Sequence, residues 1–308
     1  MPEGVEPACV HHVVQLELGI GDLLCSLYGL NGFSLALDRP PIVLYLQDHF
    51  GWLELVDIPG LQVVAADDHR PPAGSLRLGD TESDYREKLR GGHDPKRWYA
   101  RKLGVEPVRP PLNLRLFADP PGLPSPYVVL APFATRINRT WEAHNWRLVG
   151  RDLTAAGFAV IALDAPGQPE RCRALGVDYF WGQTPTWVAN VCRHAALIIS
   201  GDSGLAHVGG LLGTPTLVLQ AQQIPEAYYS MTSNAFIVPR QPCVGCRFQP
   251  DRGYEEKCDW GCWALQSISP REVTAHALRL LGGPRETRPE GFPSRCQQGA
   301  SLGPPPGP

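Results

Sequence analysis

The stretch GDSGLAHVGGLLGTPTLVL, residues 201–219, decides how this chain folds. The preceding LIIS (197–200) is a short β-branched run of the kind found in a buried strand. LAHVGGLLG reads as a short helix, and TPTLVL as the next strand. That order, strand, turn, helix, strand, is the unit of a parallel sheet. Gly201-Asp202-Ser203-Gly204 therefore lies on the turn, where a helix N-terminus presents free N–H groups to an anion. Gly204 allows close backbone approach, and Asp202 or Ser203 is placed to cap the helix. Gly209 and Gly210 would let the helix lie tight on the sheet.

The same alternation runs outward in both directions. Upstream, HHVVQLEL (11–18), IVLYL (42–46) and LQVVAA (61–66) read as strands, with helices at 22–30 and 50–56. Residues 84–104 resemble a helical pair broken at Gly91-Gly92 and Pro95. Residues 108–127 are dense in proline, which continues neither a helix nor a central strand, so they are expected to link two halves. A second run follows: strands at 127–132, 158–163, 197–200 and 214–220, with helices at 146–157 and 186–195. A last helix is expected at 270–281. The reading is α/β, two Rossmann-like domains facing across a cleft, with ligands at the carboxyl ends of the strands. The expected bounds are 1–122, 123–283, and a tail over 284–308 without apolar period, expected to be disordered.

Composition narrows the function classes. The 308 residues are 43% hydrophobic and 19% charged with a net charge of −3, an ordinary globular balance. No basic field recruits nucleic acid or an anionic membrane surface. No apolar run approaches the ~20 residues of a spanning helix. The N-terminal MPEGVEPACVHH lacks the basic and apolar regions of a secretory leader, so a cytoplasmic location is expected.

Two motifs suggest chemistry at first sight. Gly201–Gly204 matches the letters around the nucleophile of trypsin-like proteases, but the α/β setting and the absence of upstream partner signals count against it. The nine cysteines carry more weight. Cys243, Cys246, Cys258 and Cys262 crowd into CVGCRFQPDRGYEEKCDWGC, two close thiol pairs separated by residues 247–257. In a reducing compartment this pattern predicts a structural tetrahedral site for zinc or iron, with no ligand position left open.

Three blocks together resemble glycosyltransferase family 9, the heptosyltransferases. They are LGIGDLLCSLYGL (18–30), APFATRINRTWEAHNWRLVGRDLTAAGFAVIAL (131–163) and DSGLAHVGGLLGTPTLVL (202–219). The resemblance implies the GT-B fold and transfer of a sugar from a nucleotide-sugar donor, with inversion and no catalytic metal. It implies that Asp22, beside Gly21 in the first Gly-rich turn, is the base for the acceptor hydroxyl. A free carboxyl titrates near 4, so a working base requires burial or a neighbouring carboxylate. The alternative is that Asp22 only caps the helix that follows.

Arg139, before the loop tryptophan, would supply the cation on the departing diphosphate, with Arg136 a second candidate. Asp202, the N–H groups of Ser203 and Gly204, and His207 would hold the donor. The cysteine segment resembles one in autotransporter heptosyltransferases that binds iron. The acceptor would be a glycan or a protein side chain. The sequence departs from the family at Gly201, where Asn is common, at Glu17, where a basic residue is common, and at QAQQ (220–223), where Phe-Gly-Pro is common. Two other functions are weighed: a GT-B nucleotide-sugar epimerase, and an inactive GT-B module whose metal-bound loop serves interaction.

Overall fold

The computed structural model describes residues 10–15, 19–78, 94–118, 121–134, 136–164, 169–223, 234–246, 258, 261–282 and 296–298. Its contacts divide the described residues into two units, one through Arg115 and one from Leu116.

In the first unit, β1 (His11–Gln15), β2 (Ile42–Leu46), β3 (Leu61–Ala65) and β4 (Leu76–Arg77) form a parallel sheet in the order β3-β2-β1-β4. That is the Rossmann order, with the chain changing direction between β1 and β4. Helix α1 (Ile20–Ala36) follows β1 and is buried continuously from Leu23 to Ser34. Its buried polar residues each make a hydrogen bond: Ser26 donates to Gln15 Oε1 at 2.7 Å, Asn31 to the Arg109 carbonyl at 3.1 Å, and Ser34 to the Pro59 carbonyl at 2.9 Å. Helix α2 (Pro95–Lys102) packs on α1 through Gly29, where an added Cβ would lie 2.9 Å from the Ala100 amide nitrogen.

Pro95 begins α2 and does not break a longer one, because a helix's first position needs no N–H. Asp94 caps it, accepting the Lys96 N–H at 2.8 Å, and its carboxylate pairs with the buried Lys96 amine at 3.0 Å. The first part of the expected helical pair lies outside the described residues. The helix expected at 50–56 is a 3-10 helix, Phe50–Leu55. The proline-rich stretch is tied to this unit at its start: Val108 N–H reaches the Tyr28 carbonyl and Asn113 N–H the Leu55 carbonyl, each at 2.9 Å.

In the second unit the order is β10-β9-β8-β5-β6-β7-β11, all parallel, from β5 (Tyr127–Ala131), β6 (Ala159–Asp164), β7 (Asp178–Trp181), β8 (Leu197–Gly201), β9 (Thr216–Leu219), β10 (Ala235–Ile237) and β11 (Cys296–Gln298). Counted from β5, the first six strands again follow the Rossmann order, with the change of direction between β5 and β8. The helices are α3 (Ala143–Ala155), α4 (Pro169–Arg173), α5 (Pro185–His194), α6 (Gly204–Leu212), α7 (Trp263–Gln266) and α8 (Pro270–Leu280). The core is built from the fully buried β5, β8 and β9 with Trp146, Val149 and Leu153 of α3.

Strands β4, β7, β10 and β11 escaped the sequence reading. They are short; β4, β10 and β11 are edge strands and β7 lies next to an edge, where backbone pairing that side-chain periodicity does not record holds the strand. β11 arises inside the tail expected to be disordered, where Cys296 pairs with Tyr179 of β7. The rest of 283–308 lies outside the described residues.

Candidate functional site

Both direction changes carry the residues singled out in the sequence. In the second unit, Arg139 ends a one-turn 3-10 helix (Ile137–Arg139) in the loop after β5, and Asp202 begins the turn after β8. Their side chains meet, Arg139 Nε lying 3.8 Å from Asp202 Oδ2, with side-chain exposures of 17% and 8%. Gly201 has a structural reason here: a Cβ would lie 3.1 Å from the Arg139 carbonyl, so a larger residue would push the loop away. Trp141 anchors that loop, fully buried edge-on against Trp146 with ring centroids 5.2 Å apart. Arg136 is exposed at the start of the same turn.

Ser203 occupies the N-cap of α6, yet its hydroxyl does not cap the helix. It lies 3.0 Å from the Ser200 hydroxyl. The expectation of a side-chain cap by Ser203 is thus corrected: its hydroxyl is drawn back to the strand, away from the first helical turn. That leaves the positive end of α6 facing the Arg139 loop side of the turn, an arrangement suited to an anion. His207 is buried one turn further along α6. The helix lies so close to the sheet that a Cβ on Gly209 would collide with Thr216 Oγ1.

Four residues here have no role legible in the sequence. Gln223 donates from Nε2 to Asp202 Oδ2 at 3.1 Å, so the QAQQ departure supplies a neutral hydrogen-bond donor to that carboxylate. Gln220 and Gln222 beside it are buried with both amide atoms unmatched. Unmatched buried polar atoms cost about 1–3 kcal/mol each, a cost seldom kept for stability alone. Arg171 of α4 stacks over the Phe133 ring in the loop after β5, 4.0 Å from its centroid, adding a further cation at this end of the sheet. No motif assigns a role to any of the four.

In the first unit, α1 starts at Ile20 with Gly19 as its N-cap. Asp22 therefore sits inside the first turn with Gly21, and the reading of Asp22 as the cap is set aside. Its Oδ1 accepts the Tyr99 hydroxyl of α2 at 3.2 Å, and Tyr99 is fully buried. Glu17 lies outside the described residues.

Among the described residues, none of the four cysteines forms a disulfide. Cys246 and Cys262 are buried, and Cys243 and Cys258 half-buried. Each pair closes a tight turn, Cys246 N–H to the Cys243 carbonyl and Gly261 N–H to the Cys258 carbonyl, each 3.1 Å. Cys262 is the N-cap of α7. Burial pushes its thiol up, backbone hydrogen bonds from Leu265 and Ala264 oppose this, and the Cys258 and Cys243 thiols add to it. Cys262 thus lies within electrostatic reach of both Cys258 and Cys243. Among the described residues, no group of three or more His, Cys, Asp or Glu side chains stands in metal-binding arrangement.

The model of glycosyltransferase family 9 (heptosyltransferase) matches residues 112–252, from within the proline-rich stretch through the first cysteine pair. The resemblance to glycosyltransferase family 9 holds. The inactive autotransporter heptosyltransferase BimC of Burkholderia thailandensis is 29% identical over 169 residues, 52% of this chain. The chain spans only 38% of the length of that relative. Among solved structures, the iron-containing dodecameric glycosyltransferase TibC from enterotoxigenic E. coli superposes with a TM-score of 0.70 at 21% identity, covering 88% of this chain and 76% of TibC. TibC in complex with ADP-D-β-D-heptose gives 0.68 at 20% identity over the same shares. The ADP-heptose lipopolysaccharide heptosyltransferase II of E. coli gives 0.58 at 12% identity, covering 88% and 98%. The α/β architecture with parallel sheets is that of these GT-B proteins. Among the described residues no helix is long and apolar enough to cross a membrane.

Proposed function

We propose that this protein is an inverting glycosyltransferase that moves heptose from ADP-heptose to an acceptor hydroxyl on a glycan or a protein. The observation that carries this is the meeting of Arg139 and Asp202 at the N-terminus of α6, where the second sheet changes direction. Dinucleotide and nucleotide phosphates bind at such points, where helix N–H groups and a cation meet negative charge. The donor itself is inferred from the complex of TibC.

On this reading the chemistry divides by residue. Asp22, oriented by Tyr99, takes the proton from the acceptor hydroxyl as that oxygen attacks the anomeric carbon. The bond from the anomeric carbon to the diphosphate oxygen breaks, and its electron pair stays on that oxygen. Arg139, with Arg136 beside it, and the N–H groups of Ser203 and Gly204 take up the charge that develops there. Asp202 engages sugar hydroxyls, and His207 supports the diphosphate end. Residues 1–122 would serve the acceptor and 123–283 the donor.

Cys243, Cys246, Cys258 and Cys262 supply the thiol chemistry and the paired spacing of a structural zinc or iron site, although their described side chains do not stand in metal-binding arrangement. Such an ion would pin the segment between β10 and α7 and supply no step of the reaction. Elemental analysis of protein purified without added metal is expected to find zinc or iron in stoichiometric amount, lost in Cys262→Ala. Stable, metal-free protein would overturn the site.

A second reading, a GT-B module without turnover, draws on the inactive relative. Calorimetric titration with ADP, UDP, GDP, CDP and ADP-heptose separates the two. Selective ADP binding, tightened by the heptose and followed by release of ADP with acceptor, supports the transferase. Nucleotide binding without transfer or hydrolysis supports the module. An altered sugar released without acceptor would point to an epimerase.

A further inference from the structure

We infer that Gln266 is a positioning residue for Arg139, a role that rests on the donor reading above. Gln266 closes α7, the single turn that Cys262 begins, and its N–H reaches the Cys262 carbonyl at 3.0 Å. Its side-chain amide spans the loop after β5. Nε2 donates to the Thr140 carbonyl at 2.9 Å, and Oε1 accepts the Glu142 N–H at 3.0 Å. Both ends of one planar amide thus clasp the backbone on either side of Trp141, beginning at the residue that follows Arg139.

The loop needs such a clasp. Arg139 stands on one 3-10 turn of three residues, a length with almost no stability of its own. The turn's own ties are two backbone bonds, Arg139 N–H to the Arg136 carbonyl at 3.1 Å and Thr140 N–H to the Ile137 carbonyl at 3.0 Å. The Thr140 hydroxyl adds only longer contacts, 3.3 Å to the Arg136 carbonyl and 3.4 Å to Ala134 N. Trp141 fixes where the loop enters the core, but its ring engages neither the Thr140 carbonyl nor the Glu142 N–H, which would keep freedom of their own without a partner. Two hydrogen bonds from one rigid group remove that freedom. A cation is worth most to a leaving diphosphate when it is already in place. Gln266 delivers this from more than a hundred residues away in sequence, out of the cysteine segment, so the donor loop and that segment are mechanically joined.

The test uses the full chain and ADP as the probe. Gln266→Met keeps the shape and removes both hydrogen bonds. It is expected to weaken ADP binding about tenfold, the loss of one to two net hydrogen bonds of ordering. Metal content and the far-ultraviolet circular dichroism should match the wild type. The deciding readout is a double-mutant cycle with Arg139→Ala. If Gln266 acts through Arg139, Gln266→Met costs little further ADP affinity once Arg139 is gone. Equal loss in both backgrounds, or no loss in the wild-type background, overturns the inference. Should Gln266→Met not fold, Gln266→Glu keeps the acceptor for Glu142 N–H, sets an oxygen against the Thr140 carbonyl, and enters the same cycle. A wild-type protein that binds no nucleotide would fail at the donor reading itself, and this role would fall with it. Wild-type binding with an additive cycle would sink the Gln266 role alone.

Discussion

Asp22 and Ser203 test the division of roles at the level of single residues. Asp22 belongs to the first unit, on α1, and is assigned no part in donor binding. Asp22→Asn keeps the volume and removes the base. It is expected to lower transfer by about 100-fold or more, the usual contribution of a general base, while ADP affinity stays unchanged. Ser203→Ala should weaken donor binding by no more than about threefold. Its hydroxyl is turned to Ser200 and its contribution to a diphosphate is the backbone N–H, which alanine retains. Parallel kinetics and ADP titrations of both variants check this, and equal losses in the two would contradict the division. The sequence showed which of these residues cluster near turns. It could not show that Asp22 meets Tyr99 or that Asp202 meets Gln223, because the partners lie on other elements.

Among the helices, close packing hangs on small residues that a hydropathy pattern passes over. Gly29 of α1 faces the α2 backbone so closely that Gly29→Ala places a methyl 2.9 Å from the Ala100 amide nitrogen. Backbone cannot swing aside as a side chain can. The expected cost is about 1–3 kcal/mol of stability, well above the gain that alanine brings to an open helix position. A denaturant titration of the variant checks it, and a neutral or stabilising result would mean α1 and α2 lie farther apart. The same logic explains why strand and helix positions were legible for β2, β5, α5 and α8 but not for β7, β10 and β11. The former carry a buried face over a full run of apolar residues, whereas the latter are short runs at or near the sheet edges, paired through backbone.

Over the molecule as a whole, burial sets the response to alkali. Cys192 is fully buried and its thiol is pushed up from the ordinary 9.0 to about 12 by burial. Tyr28, buried under α2, is likewise pushed up from 10.0 to about 12, chiefly by burial and against the pull of Arg109. Both groups are favoured in their neutral, protonated form in the folded protein. Their contribution to stability is therefore whole below the unfolded values and is lost as pH climbs from there to about 12. Denaturant midpoints are expected to hold between about pH 7 and about pH 9 and to fall beyond that, and Cys192→Ala should make the fall shallower. A midpoint that stays level to about pH 11 would mean these groups are open to water when folded.

Local chemistry alone was enough for most of the alternation of strands and helices, the turn at Gly201–Gly204, the glycine at the entry to α1 and the paired cysteines. Each is written in neighbouring residues: hydrophobic period, glycine at a turn, thiols three or four apart. The tertiary structure decided which residues face one another. It brought Asp202 against Arg139 and Gln223, Tyr99 against Asp22, and Gln266 across the Arg139 loop. It also chose the sheet order that places the β5 and β8 turns side by side. Hydrogen-bonding amides and hydroxyls look alike along a chain, and only the packing of distant elements determines which donor meets which acceptor.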